Sequence, residues 1–557
     1  MRKQTKLVAV LSTAALLAIG ASMTSFAAQG WAEEDGTWVY YNKDGDKATD
    51  SWKKSGDNWY WLDDSGEMAV DMLIEDDDDY YYVDANGAMV TNQWVAIENE
   101  DAGEDGEPDH YWYYFQANGK AFRRGDSATT ISAKTINGKK YAFDTDGKML
   151  YGWVDADTFE RQTDEDTEWQ DGDYYFGGED DGAMRVNTWE LIAITDSDDT
   201  ENLQPGDDFW DEDQERWFYF QASGKKKAAD EGKTYVDKKI NGKKYGFDQY
   251  GRMVASWYTE ASVANATQGV ASYSNSFMYF SSPEDGARYT KGWFKVVPGY
   301  YLHESKYEDD ADYWYYANGD GNIIADRVKK IKGKTYAFDN YGRMISGLAL
   351  IQYSTTSDGD GQIIAKIADD DDDNPYDTED NFDETAMDKI AKELADGSYR
   401  FMYFGGADDG SMKTGRQTID LDGESFSFKF ETKSNIKGAG ITGEDDDKYY
   451  VGGKLIKADK EDKYQIVEIA SFKNTDNLDV NVVINDGVKV GDIISNVSGD
   501  RVKDSTVWDL KNVDLANYRV INTSGKIVDG NKSVKNGDDY KIKVNREGII
   551  ESITLED

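Results

Sequence analysis

Apolar residues in this chain come in short aromatic bursts divided by polar turns, and between Gly30 and Trp94 the bursts keep a fixed interval. Trp31, Trp52, Leu73 and Trp94 stand 21 residues apart. Between them lie Trp38-Val39-Tyr40-Tyr41, Trp59-Tyr60-Trp61-Leu62 and Tyr80-Tyr81-Tyr82-Val83, each followed by a turn that ends at Gly45, Gly66 or Gly87. This alternation predicts one small β-hairpin per interval. A lone two-stranded hairpin is marginal in water, so the repetition predicts a stack in which each unit buries its apolar face on its neighbours.

Beyond Trp94 the interval lengthens into a super-repeat with three parts. An aromatic burst at Tyr111 to Phe115 returns at Trp217 to Phe220 and at Trp314 to Tyr316. The stretch Ile136 to Phe143 returns at Ile240 to Phe247 and at Ile331 to Phe338. Tyr174-Tyr175-Phe176-Gly177-Gly178, leading to Gly182, returns as Tyr279-Phe280 leading to Gly286 and as Tyr403-Phe404-Gly405-Gly406 leading to Gly410. The first two steps are both 104 residues and the next are 91 and 124, as expected when hairpins are kept and surface connections vary. The connections 155–172, 190–213, 304–312 and 366–384 are acidic and are expected to stay solvated. One helix is predicted beside the last of them, capped by Asp380 or Asn381, with Met387, Ile390 and Leu394 on one face and Gly397 as its stop.

From about Ser471 the bursts give way to plain alternation. Val480, Val482 and Ile484 are followed by an expected turn at Asn485-Asp486-Gly487, and Tyr540, Ile542 and Val544 precede Gly548 and Ile549 to Ile553. The predicted fold class is all-β: a tandem hairpin array with long acidic loops, then a small C-terminal antiparallel β domain. The expected divisions are a signal peptide over 1–27, short-period repeats over 28–105, super-repeats over 106–415, degenerate repeats over 416–470 and the final domain over 471–557.

The N-terminus changes the compartment. Arg2, Lys3 and Lys6 precede an uncharged run from Leu7 to Ile19 and then Ser25-Phe26-Ala27, the order of a secretory signal cut after Ala27. No later stretch is apolar enough to span a membrane, so membrane insertion after signal removal is not expected. The formal charge is −47 in 557 residues, and such a field opposes nucleic acid and anionic membranes. With no cysteine, disulfides and thiolate metal sites are excluded.

Candidate chemistry is therefore sought first in the rings. The chain has 16 Trp and 38 Tyr, and 15 of the Trp lie between Trp31 and Trp314. On a strand Trp38 and Tyr40 share one face, as do Trp59 and Trp61, so one set can fill the stack while the other lines grooves between hairpins. The plain alternative is that all the rings are core, although Tyr and Trp carry polar tips that a dry core must satisfy.

Gly30-Trp31 to Gly36 to Trp38, Trp59-Tyr60-Trp61 to Gly66 and Met68, and Gly147 to Met149 with Gly152-Trp153 together resemble the cell-wall-binding repeats of Gram-positive surface proteins, of the choline-binding and glucan-binding types. The resemblance covers roughly 30 to 415 and runs more weakly to 457. It implies choline held between successive hairpins by the Gly-Trp ring, the first ring of the burst and a ring of the next hairpin, with a methionine nearby. Carried onto this sequence, it nominates Trp31 and Trp38 with Trp59 or Trp61, then Trp52 and Trp59 with Tyr80 or Tyr81 and Met68. Further along it nominates Trp94, Trp112 and Trp153. A quaternary ammonium gains ~0.5 to ~2 kcal/mol per ring, and a tandem array multiplies weak sites.

Three departures keep sugar stacking open beside choline. Leu73 replaces an expected ring, Lys140, Lys244 and Thr335 stand at first-ring positions, and the Gly177-Gly178 type of unit is two residues longer than its counterpart at Phe143 to Gly147. Calcium is a second candidate, but Ile367 stands where the loop beginning at Thr356 needs a bidentate carboxylate, and Tyr316 to Gly321 fails at both ends. No metal or cofactor is assigned. His110 and His303 lack a surrounding serine motif, and no repeat-free stretch before 470 is long enough for a catalytic domain, so no enzyme is expected.

The expected function is a secreted, non-catalytic surface protein attached non-covalently to wall polymer bearing choline or glycan. The competing class is an adhesive scaffold whose acidic loops touch a host or matrix partner. The C-terminal domain is expected to be a passenger or a contact to another protein.

Overall fold

The structure, a computed structural model, describes residues 29–103, 107–164, 166–194, 214–264, 266–354, 362–366, 376, 378–433, 436–537 and 539–556. The expected signal segment, most of the acidic connection 190–213 and the loop 356–361 lie outside the described residues. The chain is nearly all-β and divides into two compact units, 1–195 with 218–227, and 196–217 with 228–557.

Unit 1 is a series of antiparallel hairpins. Gly30–Glu34 pairs with Thr37–Tyr41, Ser51–Ser55 with Asn58–Leu62, Met72–Asp76 with Asp79–Val83 and Gln93–Glu98 with His110–Phe115. Lys134–Ile136 then pairs with Lys139–Tyr141, and Trp153–Val154 with Tyr174–Tyr175. The first turn shows why the chain reverses so tightly. Asp35 and Gly36 both take positive φ, 53° and 90°, the backbone of a two-residue turn whose twist matches the strands it joins.

After each hairpin the chain closes a second, aspartate-capped turn and bonds back one hairpin. Asp63 Oδ1 accepts the backbone N–H groups of Ser65 and Glu67, and Asp144 Oδ1 those of Asp146 and Lys148. The residue two places past the turn glycine then donates its N–H to the preceding hairpin. Met68 bonds Trp38 O at 2.8 Å, Met89 bonds Trp59 O at 2.8 Å and Met149 bonds Trp112 O at 2.8 Å. The methionine side chain meets the glycine of the next turn. At Gly182 an added Cβ would stand 2.2 Å from the Met149 sulfur, and the φ of 55° also favours glycine.

Unit 2 begins in the same way. Val236–Ile240 pairs with Lys243–Phe247, Ser256–Thr259 with Phe277–Phe280 and Gly292–Val296 with Tyr313–Ala317. Met253 N bonds Trp217 O, and Met344 N bonds Trp314 O. Arg327–Ile331 and Lys334–Phe338 still form a hairpin but join a five-stranded sheet, and Gly415 to Leu455 forms a second one.

The expected boundary at Ser471 falls inside a strand. Tyr464–Lys473 runs antiparallel to both Asp479–Val488 and Tyr518–Asn522, and its Val467 and Ile469 share one buried cluster with Leu350, Phe382, Phe401 and Phe428. Val482, Val483 and Ile521 pack into the same cluster, whereas Val490, Leu510, Val520, Ile542 and Ile553 form a separate buried cluster of the last part. The turn expected at Asn485-Asp486-Gly487 is also absent, because Asp479–Val488 is one strand with a register shift against Tyr464–Lys473. The reversal comes earlier, where Asn474 N bonds Leu478 O. Tyr540–Val544 and Ile550–Glu556 pair as the alternation predicts.

The predicted helix is present in three pieces, Glu379–Asp383, a π-turn over Glu384–Lys389 and Ala391–Asp396. Its cap is Thr378, whose hydroxyl accepts the Asn381 N–H, instead of Asp380 or Asn381, and Gly397 ends it at φ 80°. Two acidic connections also fold in part, against expectation. Glu168–Asp171 is a helical turn anchored by buried Trp169, and Glu304–Glu308 follows buried Leu302.

Two predictions follow from this packing. A Cβ at Gly440 would lie 2.2 Å from the backbone oxygen of Gly452, so Gly440→Ala is expected to cost about 3 kcal/mol or more, read as a lower denaturation midpoint. Burial raises the Asp144 carboxyl to about 6 against its backbone donors. The folded state then holds that proton more tightly between about pH 4 and 6, so this group's contribution to stability falls as pH rises through that window. Asp144→Asn keeps the acceptor without the charge, and its stability relative to wild type should gain about 2 kcal/mol between pH 4 and 7.

Candidate functional site

The rings meet at the seams between consecutive hairpins. Strand register places Trp31 opposite Tyr40 and Trp52 opposite Trp61, with centroids 5.5 and 5.3 Å apart and near-perpendicular planes. Trp31 and Trp52 each then reach one ring of the following hairpin. Trp52 meets Tyr81 at 5.1 Å, one of its two nominated partners. Trp31 meets Tyr60 at 5.4 Å, so neither Trp59 nor Trp61 takes that place. Pleating explains the difference: the middle ring of the burst points back to the previous hairpin, and its neighbours point elsewhere.

The nominated residues separate into distinct environments. Trp31, Trp38, Trp52, Tyr80 and Tyr81 are half-buried at seams, and Trp59 is 41% exposed. Trp61 is buried beneath Trp52. Met68 has its thioether against Gly87 on the next turn. At the third seam Leu73 replaces the ring and packs with Tyr80, Tyr82 and buried Tyr113, which leaves that seam one aromatic wall short.

Trp94 and Trp112 head the most complete box in unit 1. Trp94 lies 6.5 Å from Trp112 at 85°, 5.2 Å from Tyr114, 4.8 Å from Tyr141 and 5.8 Å from Phe143. Unit 2 repeats the arrangement around Trp293: 6.4 Å to Trp314 at 85°, 5.1 Å to Tyr316, 4.7 Å to Tyr336 and 5.6 Å to Phe338. Trp94, Trp112, Tyr141, Trp293, Trp314 and Tyr336 are all half-buried, so each set stays partly accessible. The rings of the second box are not among the nominated residues, although Trp314 to Tyr316 and Ile331 to Phe338 repeat the stretches that build the first.

A carboxylate completes the rim of both boxes. The indole N–H of Trp112 donates to Asp180 Oδ1 at 3.1 Å, and that of Trp314 donates to Asp408 Oδ1 at 3.1 Å. The loops that carry them are the longer Gly-Gly units. Each is pinned by a lysine one hairpin back, Lys139 to Asp181 at 3.1 Å and Lys334 to Asp409 at 3.4 Å. His110 also bonds Asp180 at 3.2 Å, and Lys295 lies 3.6 Å from Asp408. The extra loop length was visible in the sequence, but its destination was not.

Trp153 does not line a groove. It is fully buried, with Gly172 against its Cβ and the ammonium of Lys226 5.3 Å over its ring, held by Trp169 O and Gln170 O. Trp257 in unit 2 is closed similarly, with its N–H on Val297 O and Gly299 against its indole. An inserted connection covers the indole in both cases, so the same sequence position yields open and closed boxes.

Among the described residues no group of three or more His, Asp or Glu side chains is placed to hold a metal ion. In the calcium-candidate loop Tyr316 to Gly321, Asn318 Oδ1 accepts the N–H groups of Asp320 and Gly321 and serves as a turn cap. His303 stacks on Tyr341 at 3.8 Å. Among the described residues no helix is long and apolar enough to cross a membrane.

Tandem hairpins joined by aromatic seams define the class: a repeat protein with aromatic clusters between turns. Residues 28–72 and 50–94 each match the family model of the choline-binding repeat, so this stretch of the chain carries repeats of that type. The comparison with curated proteins gives no match. Among solved structures, the modular autolysin LytC of Streptococcus pneumoniae is similar at 17% identity, over 58% of this chain and 54% of that one, with a TM-score of 0.29. This chain thus spans about half the length of the autolysin. Choline binding protein F of Streptococcus pneumoniae, solved in the presence of a peptidoglycan analogue, is 17% identical over 75% of this chain and all of its own, with a TM-score of 0.30. The choline binding domain of Spr1274 of Streptococcus pneumoniae is 28% identical over 17% of this chain and 96% of its own, with a TM-score of 0.13.

The hydrogen bond from Trp314, then Lys295, holds the Asp408 carboxyl below its ordinary value of 3.8. Trp314→Phe should move its titration upward toward that value, followed by side-chain carboxyl NMR; an unchanged titration would show that the indole contact is absent in solution.

Proposed function

We propose that this protein is exported and attaches non-covalently to a bacterial wall by binding choline-bearing or glycan polymer in the open boxes, without catalysing a reaction. The observation that carries the reading is the near-superposition of the Trp94 and Trp293 boxes. Two sets of rings in separate units, half-buried except for the buried Phe143 and Phe338, keep the same spacings within 0.2 Å. Rings that only filled a core could close, as Trp153 and Trp257 do. The match to the choline-binding repeat over 28–94 supports choline as the first ligand to test.

The physical fit is with a cation. Ring faces carry partial negative charge, and the half-buried walls remove some of the water that would otherwise compete. Asp180 and Asp408 add a formal negative charge at two rims. One box is weak by itself, so retention on a wall depends on several boxes bound to one polymer.

The test is binding of the full chain to isolated walls, with release by excess choline or by free glycan. Release by choline is the expected outcome, release only by glycan would assign sugar stacking, and no sedimentation with walls would support the adhesive scaffold. Trp59→Ala, Trp94→Ala and Trp293→Ala should each weaken choline binding at their own box by about 2- to 30-fold in calorimetric titration, the equivalent of ~0.5 to ~2 kcal/mol per ring. Unchanged titrations in correctly folded variants would remove the boxes as binding sites.

A further inference from the structure

The middle super-repeat gathers positive charge in a protein whose formal charge is −47. A cleft of about 550 Å³ within unit 2 is lined by Lys239, Lys243, Lys244 and Arg288, with Asp285 as its one acidic wall. Asp285 pairs with Lys243 at 2.8 Å, and Asp237 reaches Lys244 at 3.6 Å and Arg288 at 3.3 Å. Four cations thus face two carboxylates. Lys239 makes no ion pair among the described residues.

Strand pairing sharpens the point. Lys239 stands directly opposite Lys244 across the hairpin, and like charges in that register destabilise a sheet. The sister repeats avoid the arrangement. Thr135 faces Lys140 in the first, and Lys330 faces Thr335 in the third. Arg288 is equally particular to the middle repeat. Its N–H bonds Lys244 O, whereas Met184 bonds Lys140 O and Met412 bonds Thr335 O at the equivalent places. The fold therefore works with threonine and methionine at these positions, and the middle repeat carries two cations that the hairpin does not require.

We propose that this cleft binds a phosphate group, either as the free ion or as a phosphodiester in a polymer chain. Lysine ammonium groups spread over a cleft suit a compact anion approached from several sides. Arg288 is mostly buried, held by Tyr235 Oη at 2.9 Å and by Asp237, so it supplies field to the cleft floor while the lysines make contact. Gly242, Thr290 and Gly319 leave room at the walls. The site does not depend on the ring boxes and can fail or succeed independently of them.

The experiment titrates the full-length protein with inorganic phosphate, with linear poly(glycerol phosphate) and with polyglutamate as a carboxylate control, each at several salt concentrations. Wild type is expected to bind phosphate or its polymer, and Lys239→Thr and Lys244→Thr should each weaken binding about 10-fold. Both variants install the residue that a sister repeat already uses, so folding should be retained, and the circular dichroism spectrum and thermal melt of the same samples check it. Affinity should rise from low to moderate salt, as the overall negative field is screened over a Debye length near ~8 Å, and fall again at high salt as the contacts themselves weaken. Binding of the ion but not the polymer assigns free phosphate, and binding of the polymer assigns the phosphodiester. Equal binding of polyglutamate, no binding of either phosphate probe, or binding indifferent to both lysine changes would overturn the proposal.

Discussion

The structure depends on one backbone hydrogen bond repeated along the stack, from the residue two places past each turn glycine to the first-ring carbonyl of the previous hairpin. It recurs between Met68 and Trp38, Met149 and Trp112, and Met344 and Trp314, at 2.8 Å each time. A hairpin two strands wide leaves edge groups unpaired, and this bond uses one of them to set the step to the next unit. Because donor and acceptor are backbone, the step survives wide variation in side chain. Lys140 and Thr335 accept it as well as Trp38 does.

That constancy permits function at the seams. A fixed step holds the Gly-Trp ring, the first ring of the burst and the middle ring of the next hairpin at set separations, whatever the connections do. Methionine supports the step from the other side by filling the space a Cβ would occupy on the next turn glycine. Flexible thioethers tolerate the small irregularities of such a stack better than branched side chains would.

The acidic insertions then differentiate seams that the repeat would leave alike. One sets Gly172 against Trp153 and holds Lys226 over its ring through the Trp169 and Gln170 carbonyls, closing that box, while the longer Gly-Gly loops bring Asp180 and Asp408 to the rims of open ones. In the middle repeat the changes are of sign, with lysine and arginine where the sisters carry threonine and methionine. A surface so negative overall can thus hold local sites of either polarity.

The hairpin stack, its period and the ring types at its seams are legible in the sequence, because strand alternation and turn chemistry act over a few residues and repetition confirms each reading. Helix existence and the final Tyr540 to Ile553 pairing were legible for the same reason. Tertiary structure alone decided that Tyr60 and not Trp59 or Trp61 meets Trp31, that Trp153 is sealed, that Asp180 arrives at Trp112 from 68 residues away and that Ser471 lies within a strand instead of between domains. Each of these depends on which face a strand turns toward its neighbour, or on where a long connection comes to rest. No local pattern encodes that; it is settled when hairpins distant in sequence compete for the same buried surface.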